Sequence, residues 1–534
     1  MKENINYNVP KEKLVFANTN RTIHDKELST KPVGYFKDAF NRFKKNKGSI
    51  IAAFIILFLV LYAIIAPIFS PYSVAYSDGH YKYVLPKSNI SEQLNIDFWD
   101  GCSNKEISKE NFIYYYSMMV ETGHDVIKNG EFSTFTVVNG KKESIKYKVR
   151  LDSYHAVGMY LTNTMLQEEY FAIQKYQDET GIQVIYPITD RDLRPKATQD
   201  ESDGNFWFKT EVSGTKTKAI VTENPDGTFT FENIYKKYSN GIDDYTSKVR
   251  FEGENNYLYD YAYKTVSKNE ETGVTSITYE VRYNYYEYYK FYHSYYLKDG
   301  IKEPMFLFGC TSGGQDIFTC LASGARFSFI MAIVVALVNL IVGAIYGAIE
   351  GYYGGKIDLI MERFVEILSA VPFMIVITLL KYHMESTPQV LVLFIAYFLT
   401  GWIGMAGRTR MQFYRFKNQE YVLAARTLGA KDTRIMFKHI FPNALGTLIT
   451  GSVLVIPGMI FSETSLSYLG IINLNSGNMT SVGTLLANAQ GRMTDYPHMM
   501  FFPALFISLL MLSFNLFGNG LRDAFNPSLR GTEE

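Results

Sequence analysis

Residues 420–442 read EYVLAARTLGAKDTRIMFKHIFP, a polar, basic stretch of helical pattern between two strongly apolar runs. Ala424 and Ala425 form a small-residue pair, Gly429 follows shortly after, and Pro442 opens the next apolar run. Small side chains let a helix approach another backbone closely. A glycine in the left-handed conformation ends a helix at little steric cost. Ala430, Lys431 and Asp432 then turn the chain into a second helix. Glu420, Arg426, Lys431 and Arg434 are placed for rim ion pairs, which set register more than affinity.

Outward from this stretch the chain alternates between apolar and polar character. Its 534 residues exceed one ordinary domain, and a formal net charge of zero hides the split. The run from Ser49 to Phe69 has no charged residue and reaches the roughly 20 residues that cross a bilayer. It follows a long basic segment, so it reads as a retained anchor and not as a cleaved signal. Further spans are expected at about 323–350, 359–381, 389–406, 443–466 and 498–519, six in all. Trp402 and Arg408 mark the expected end of the fourth span. The domains expected are a segment 1–48, a first span 49–70, a middle domain 71–305, a five-helix core 306–520 and a tail 521–534.

Lys and Arg orient these spans. Eleven precede the first span and eight lie in the loop 407–440. Cationic loops stay cytoplasmic, so both termini and the loop 407–442 are expected inside, and residues from about 71 to 320 outside. Phe36, Phe40 and Phe43 share one face of a basic helix, suited to the surface of anionic lipid.

The middle domain reads as α+β. Asn139-Gly140 and Asp226-Gly227 are hairpin signals between β-rich runs. Residues 154–180 have helical periodicity, with Gly181 as the stop. Eight tyrosines fall between Tyr283 and Tyr296. The first half of that run suits a strand and the second half the membrane surface. Cys102 and Cys310 either form a disulfide, if the domain is extracellular, or remain free thiols.

Several separated stretches resemble one family, the C-type permease subunits of bacterial dipeptide, oligopeptide and nickel ABC importers. RFKKNK and APIFSPY flank the first span as in that family. FGCTSGGQDIFTCLASGARFSF is similar to its FGTDxxGRDxxSRxxxGARxSL stretch, and GAIEGYYGGKIDLIMERFVEILSAVPF and LFGNGLRDAFNPSLR to later ones. Residues 420–442 resemble the EAA loop that plugs into the ATPase. Leu423 stands where the motif's name implies Glu, and Gln315 where the family usually has Arg. The middle domain matches nothing in the family pattern, so it reads as a large insertion.

The resemblance implies a type I permease fold of six transmembrane helices in the bacterial plasma membrane. It implies a homologous second permease, two ATPase subunits that use ATP and Mg, and an extracellular substrate-binding lipoprotein. Coupling falls to Glu420, Ala424, Ala425, Arg426, Gly429, Ala430, Lys431, Asp432 and Pro442. No cofactor, metal or nucleic acid is expected on this chain: Walker A, HExxH, GxSxG and CxxC motifs are all absent. Peptide is the expected cargo and a nickel chelate the runner-up. A membrane-anchored extracellular receptor is the alternative class, although it would need neither six spans nor an EAA loop.

Three further features stand beside the loop. Gly343, Gly347 and Gly351 form two GxxxG spacings suited to close helix packing. Glu362, Arg363 and Glu366 are spaced for ion pairs along one helix. Glu463, deep in the fifth span, either faces the translocation path or pairs with a neighbouring helix.

Overall fold

The computed structural model describes residues 35–93, 99–139, 142–188, 221–225, 229–231, 260–268, 275–474 and 479–525. Helix α1 (Tyr35–Lys45) passes through Asn46 into α2 (Lys47–Phe69), and the Asn46 side chain caps α2 by accepting from Ser49 N. Twenty-three residues at about 1.5 Å each make α2 roughly 35 Å long, enough to cross a bilayer core. The aromatic face expected of α1 is divided. Phe43 packs edge-on against Phe517 at 5.3 Å, whereas Phe40 is exposed with the Lys44 ammonium over its ring. The Phe36 side chain lies outside the described residues.

Among the described residues the middle region has three antiparallel sheets. In chain order the elements are α3 (Asn89–Gln93), β1 (Cys102–Ser108), α4 (Lys109–Thr122), β2 (Ile127–Asn139), β3 (Lys142–Asp152), β4 (Met159–Leu166), α5 (Gln167–Thr180), β5 (Ile185–Tyr186), β6 (Val221–Glu223), β7 (Phe229–Phe231), β8 (Ala262–Lys268), β9 (Thr275–Asn284) and α6 (Tyr285–Lys290). One sheet runs β1-β3-β2. In a second, β9 pairs with β4, β5 and β8, and β6 and β7 form a separate two-stranded third. The hairpin strands flank both expected turns, Asn139↔Lys142 and Glu223↔Phe229. Gly140 and the pair Asp226-Gly227 lie outside the described residues.

One expectation for this region is corrected. Residues 154–180 are not one helix: a 3-10 turn and β4 precede α5, which ends at Gly181 with φ +72°. Pairing with β9 overrides the helical period, since a strand's stability lies in its cross-strand neighbours. The tyrosine run begins in a strand and continues as helix. β9 ends at Asn284, whose side chain caps α6, and a π-helical turn Phe291–Leu297 follows. Tyr285, Tyr286, Tyr289 and Phe291 are core residues. Buried phenols need partners: Tyr285 donates to Asp78 at 2.7 Å, Tyr154 to the Leu85 carbonyl at 2.9 Å, and Tyr76 to Tyr289 at 3.0 Å. Strand β9 is tied to α4 by Arg282, which is fully buried and donates from both terminal nitrogens to Glu121 at 2.6 Å.

The disulfide is absent: Cys102, Cys310 and Cys320 are free thiols. Cys102 Sγ points toward the Asp100 carbonyl at 3.7 Å, while Cys310 is enclosed in the tyrosine-rich core. Burial and the nearby Asp316 and Asp78 carboxylates push the Cys310 thiol well up.

Residues 78–87 and 306–316 join this region to the remaining helices. Cys310 N donates to the Val84 carbonyl and Asp78 N to the Gly314 carbonyl. Gly314 has φ +76°, and a Cβ there would come 1.7 Å from the Asp78 carbonyl oxygen, so this junction needs glycine. Gln315, in the place of the family's arginine, donates to the Val74 carbonyl at 3.1 Å. Asp316 caps the next helix through Phe318 N and Thr319 N.

That helix, α7 (Ile317–Tyr353), has 37 residues and a length of about 55 Å. Then come α8 (Gly355–Ser369), α9 (Phe373–His383), α10 (Gln389–Thr400), α11 (Ile403–Phe416), α12 (Glu420–Thr427), α13 (Asp432–Arg434), α14 (Phe441–Tyr468), α15 (Val482–Gln490) and α16 (His498–Phe525). Among the described residues five helices are long and apolar enough to cross a membrane, or six if α8 and α9 form one span. The expected straight span 359–381 is a pair bent by 72°. Pro372 stands before α9 and cannot continue the α8 hydrogen-bond ladder. The helical run of the fourth span continues past Arg408, and Gln389–Phe416 passes as one candidate crossing by length and composition. Arg408 is accommodated because it donates to the Gly451 carbonyl of α14 at 3.0 Å.

Contacts sort the helix ends. The start of α7 meets the end of α2, where the Tyr62 hydroxyl donates to the Phe318 carbonyl at 2.8 Å. α2 and α16 run side by side, with Ser49 Oγ donating to the Leu516 carbonyl at 3.1 Å. The middle region therefore sits at one end of α7. The loop after α11 meets the other end.

Candidate coupling site

The loop is a compact unit with its own small core. Val422 of α12 is fully buried against Ile435, Met436, Ile440, Phe413, Tyr352 and Ala348. The helix ends at Thr427, and Gly429 takes φ +80° while its N–H donates to the Arg426 carbonyl at 3.0 Å. Ala430 N reaches back to the Ala425 carbonyl at 3.1 Å, which closes the turn. Asp432 begins α13, and a π-helical turn, Ile435–Ile440, runs into α14 with Pro442 in its first turn, where a missing N–H costs nothing.

Inward and outward faces differ sharply. Leu428 is 88% exposed, and Leu423, Ala424 and Gly429 are exposed beside it. No heavy atom lies within 4 Å of a Cβ built on Gly429. Apolar and small residues thus lie exposed together at the tip of the loop. Among the described residues Glu420, Lys431 and Arg434 make no ion pair within the chain, so their charges stand around this tip.

The loop is braced to the end of α7. The Tyr352 hydroxyl donates to Asp432 Oδ1 at 2.6 Å and accepts from Arg426 at 3.3 Å, and the Arg426 guanidinium lies over the Tyr352 ring. Lys417 Nζ donates to the Gly351 carbonyl at 2.9 Å. Sequence reasoning missed Tyr352 and Lys417, since nothing in their local pattern separates them from surface residues.

Behind the brace, Gly343, Gly347 and Gly351 face α11. A Cβ on Gly347 would come 2.1 Å from the Ala406 carbonyl oxygen, and one on Gly351 2.7 Å from that of Arg410. This contact brings Arg410 under three carboxylates. It bonds Asp358 at 2.7 and 3.1 Å, with Glu362 at 3.2 Å and Glu350 at 3.5 Å. Glu362 thus pairs across helices with Arg410, and the local pair is Arg363–Glu366. The lone Glu350 inside an apolar run was the available signal for this hub. Glu463 is 2% exposed and accepts from Ser328 of α7 at 3.0 Å and Ser467 at 3.1 Å. Of the two roles left open for it, the geometry favours the helix contact, because its carboxyl is enclosed between α7 and α14.

Long apolar helices around a braced loop are the build of a multi-pass membrane protein. Residues 341–531 match the family described as binding-protein-dependent transport system inner membrane component, and residues 34–86 match the N-terminal TM domain of oligopeptide transport permease C. The oligopeptide transport system permease protein OppC of Bacillus subtilis (strain 168) is 44% identical over 223 residues, covering 42% of this chain and 72% of that protein. The dipeptide transport system permease protein DppC of the same organism is 41% identical over 229 residues, covering 42% and 69%. OppC of Haemophilus influenzae (strain ATCC 51907 / DSM 11121 / KW20 / Rd) is 39% identical over 228 residues, covering 43% and 72%. The chain belongs to this family of ABC transport permeases.

Proposed function

We propose that this permease imports oligopeptides or dipeptides. It forms the path with a homologous second permease and receives cargo from an extracellular substrate-binding lipoprotein. Two cytoplasmic ATPase subunits, which bind and hydrolyse ATP with Mg, seat against residues 420–442. The chain itself performs no catalysis and holds no cofactor. Both termini and the loop lie in the cytoplasm, and the middle region, an insertion relative to the family pattern, lies outside the cell.

The observation that carries the coupling role is the exposed tip Leu423, Ala424, Leu428 and Gly429, held from behind by Tyr352 and Asp432. A partner that closes on this tip moves α7 with it, since the brace leaves little slack. A 37-residue helix then carries the displacement to its far end. Alternating access follows when two such loops are driven together by ATP binding.

The test is gentle purification of the tagged chain from its native membrane, with mass spectrometry of co-purifying proteins, repeated with Gly429→Arg. A second permease and ATPases should accompany the wild type, and the ATPases alone should be lost from the variant. ATPases that persist in the variant would refute the coupling role. Uptake of labelled trileucine, against a nickel chelate, by the complete importer decides the cargo.

A further inference from the structure

Between the middle region and the first turns of α16 lies a cavity of about 600 Å³. That volume is in the range of small-molecule sites. One wall comes from residues 82–86, Trp99 and β1, and the other from residues 495–502. The site lies at the far end of the helices from the coupling loop.

Two wall residues hold unusual backbone. Tyr83 has φ +62° and Trp99 φ +66°, a region that bulky L-residues rarely enter. Such conformations persist where the surroundings over-determine them, and they cluster at ligand clamps. Here they set two rings against the opposite wall. Tyr83 stacks on Tyr496 at 4.5 Å and Trp99 on Phe502 at 5.8 Å. Among the described residues only four non-glycine residues have positive φ, and two of them line this one cavity.

The interior is largely aromatic, and the polar side chains set deep in it include His498 and Asp100. His498 is 7% exposed, and neither ring nitrogen meets the geometry of a hydrogen bond, although the Val84 and Cys310 carbonyls are near. A buried imidazole without a full partner is costly unless something supplies one. Asp100 is already paired with Arg150 at 2.7 Å. The charges at the exposed rim are of both signs, Lys82 and Lys105 against Asp495.

We propose that this cavity binds a short zwitterionic peptide with apolar or aromatic side chains. The side chains enter the aromatic interior, His498 meets a backbone polar group, Asp495 faces the ammonium, and Lys82 and Lys105 face the carboxylate. The inference rests on the peptide-importer reading and adds a cargo site on this chain, formed jointly by the middle region and α16.

The test is calorimetric titration of trileucine into the full chain in lipid nanodiscs. Saturable binding is expected, weakened at least tenfold when the peptide is N-acetylated and C-amidated. The double variant Lys82→Glu and Lys105→Glu, confined to exposed rim positions, should also weaken it at least tenfold, whereas Lys175→Glu on α5 should not. No saturable binding, or equal binding by blocked peptide or by the rim variant, overturns the assignment. The uptake experiment separates the two readings. If the importer takes up trileucine and the chain binds none, the cavity assignment falls and the peptide reading stands. If the chain binds trileucine and the importer carries only the chelate, the cargo reading falls and the site stands.

Discussion

The Tyr352 hydroxyl, one residue from the end of α7, donates a 2.6 Å hydrogen bond to Asp432, at the start of the helix that follows Gly429. It is a short, charge-assisted bond between the longest helix and the loop proposed to meet the ATPase. Hydrogen bonds to charged groups contribute about 1.5–3 kcal/mol. Tyr352→Phe keeps the ring and removes the bond, so the loop should open roughly ten times more often or more. ATP-driven uptake by the reconstituted importer should fall severalfold with the amount of chain in the membrane unchanged. Faster hydrogen exchange across 420–440 checks the cause; unaltered exchange would show the bond to be idle.

Gly429 separates backbone conformation from partner contact. Its φ of +80° disfavours any L side chain, while the space around it is open. Gly429→Ala should therefore lose about 1–2 kcal/mol of local stability and still retain ATPase. Gly429→Arg should lose the ATPase through bulk on the outer face. Equal ATPase retention by both variants, in co-purification, would mean that the exposed tip is not the contact.

The α7–α11 contact depends on missing side chains. A Cβ on Gly347 would sit 2.1 Å from the Ala406 carbonyl oxygen, whereas one on Gly404 would meet nothing within 4 Å. Gly347→Leu should lower the thermal midpoint in detergent sharply, since overpacking a tight contact costs about 1–3 kcal/mol or more. Gly404→Ala should leave the midpoint within a degree or so of wild type.

In the middle region, Glu121→Gln removes the carboxylate that the fully buried Arg282 guanidinium meets with both terminal nitrogens. Breaking a buried pair in this way costs about 3–5 kcal/mol. Limited proteolysis should cut the middle region of the variant much faster than that of wild type, while the membrane helices stay protected. An unchanged cleavage rate would mean that the pair contributes little.

Acid should loosen the same region. Burial raises the Asp152 and Glu287 carboxyls, but His155 and Lys87 beside the first, and His124 and Lys290 beside the second, outweigh it and hold both below the usual carboxylate range. A carboxylate with a lowered folded pKa adds stability that is complete above its unfolded pKa, near 4, and is lost as pH falls through the folded value. Near-ultraviolet circular dichroism should hold steady from about pH 7 to 5 and decay below about pH 4. Asp152→Asn with Glu287→Gln should flatten that decay.

Much of the fold was legible because its signals are local. Ser49–Phe69 is apolar without interruption, Asn139 closes a hairpin, and Gly181 and Gly429 stop helices where a left-handed residue is needed. Each depends on a few consecutive residues and on solvent or lipid, not on a distant partner. Residues 159–166 were misread as helix because the strand that pairs with them, β9, lies more than a hundred positions away. At the coupling loop the turn chemistry was legible, while its brace was not. Tyr352 and Asp432 are 80 positions apart.

The sequence alone determined that this chain crosses the membrane several times, carries an α+β region between its first two spans, and presents a basic helical loop ending at Gly429. Hydrophobic length, turn residues and charge asymmetry act over short distances and need no knowledge of which faces meet. The tertiary structure alone decided that Glu362 pairs with Arg410 of another helix, that α8 and α9 meet at 72°, and that Glu463 is enclosed between α7 and α14. Those outcomes turn on the packing of distant helices, where a carboxylate must find whichever donor its neighbour brings within about 3 Å.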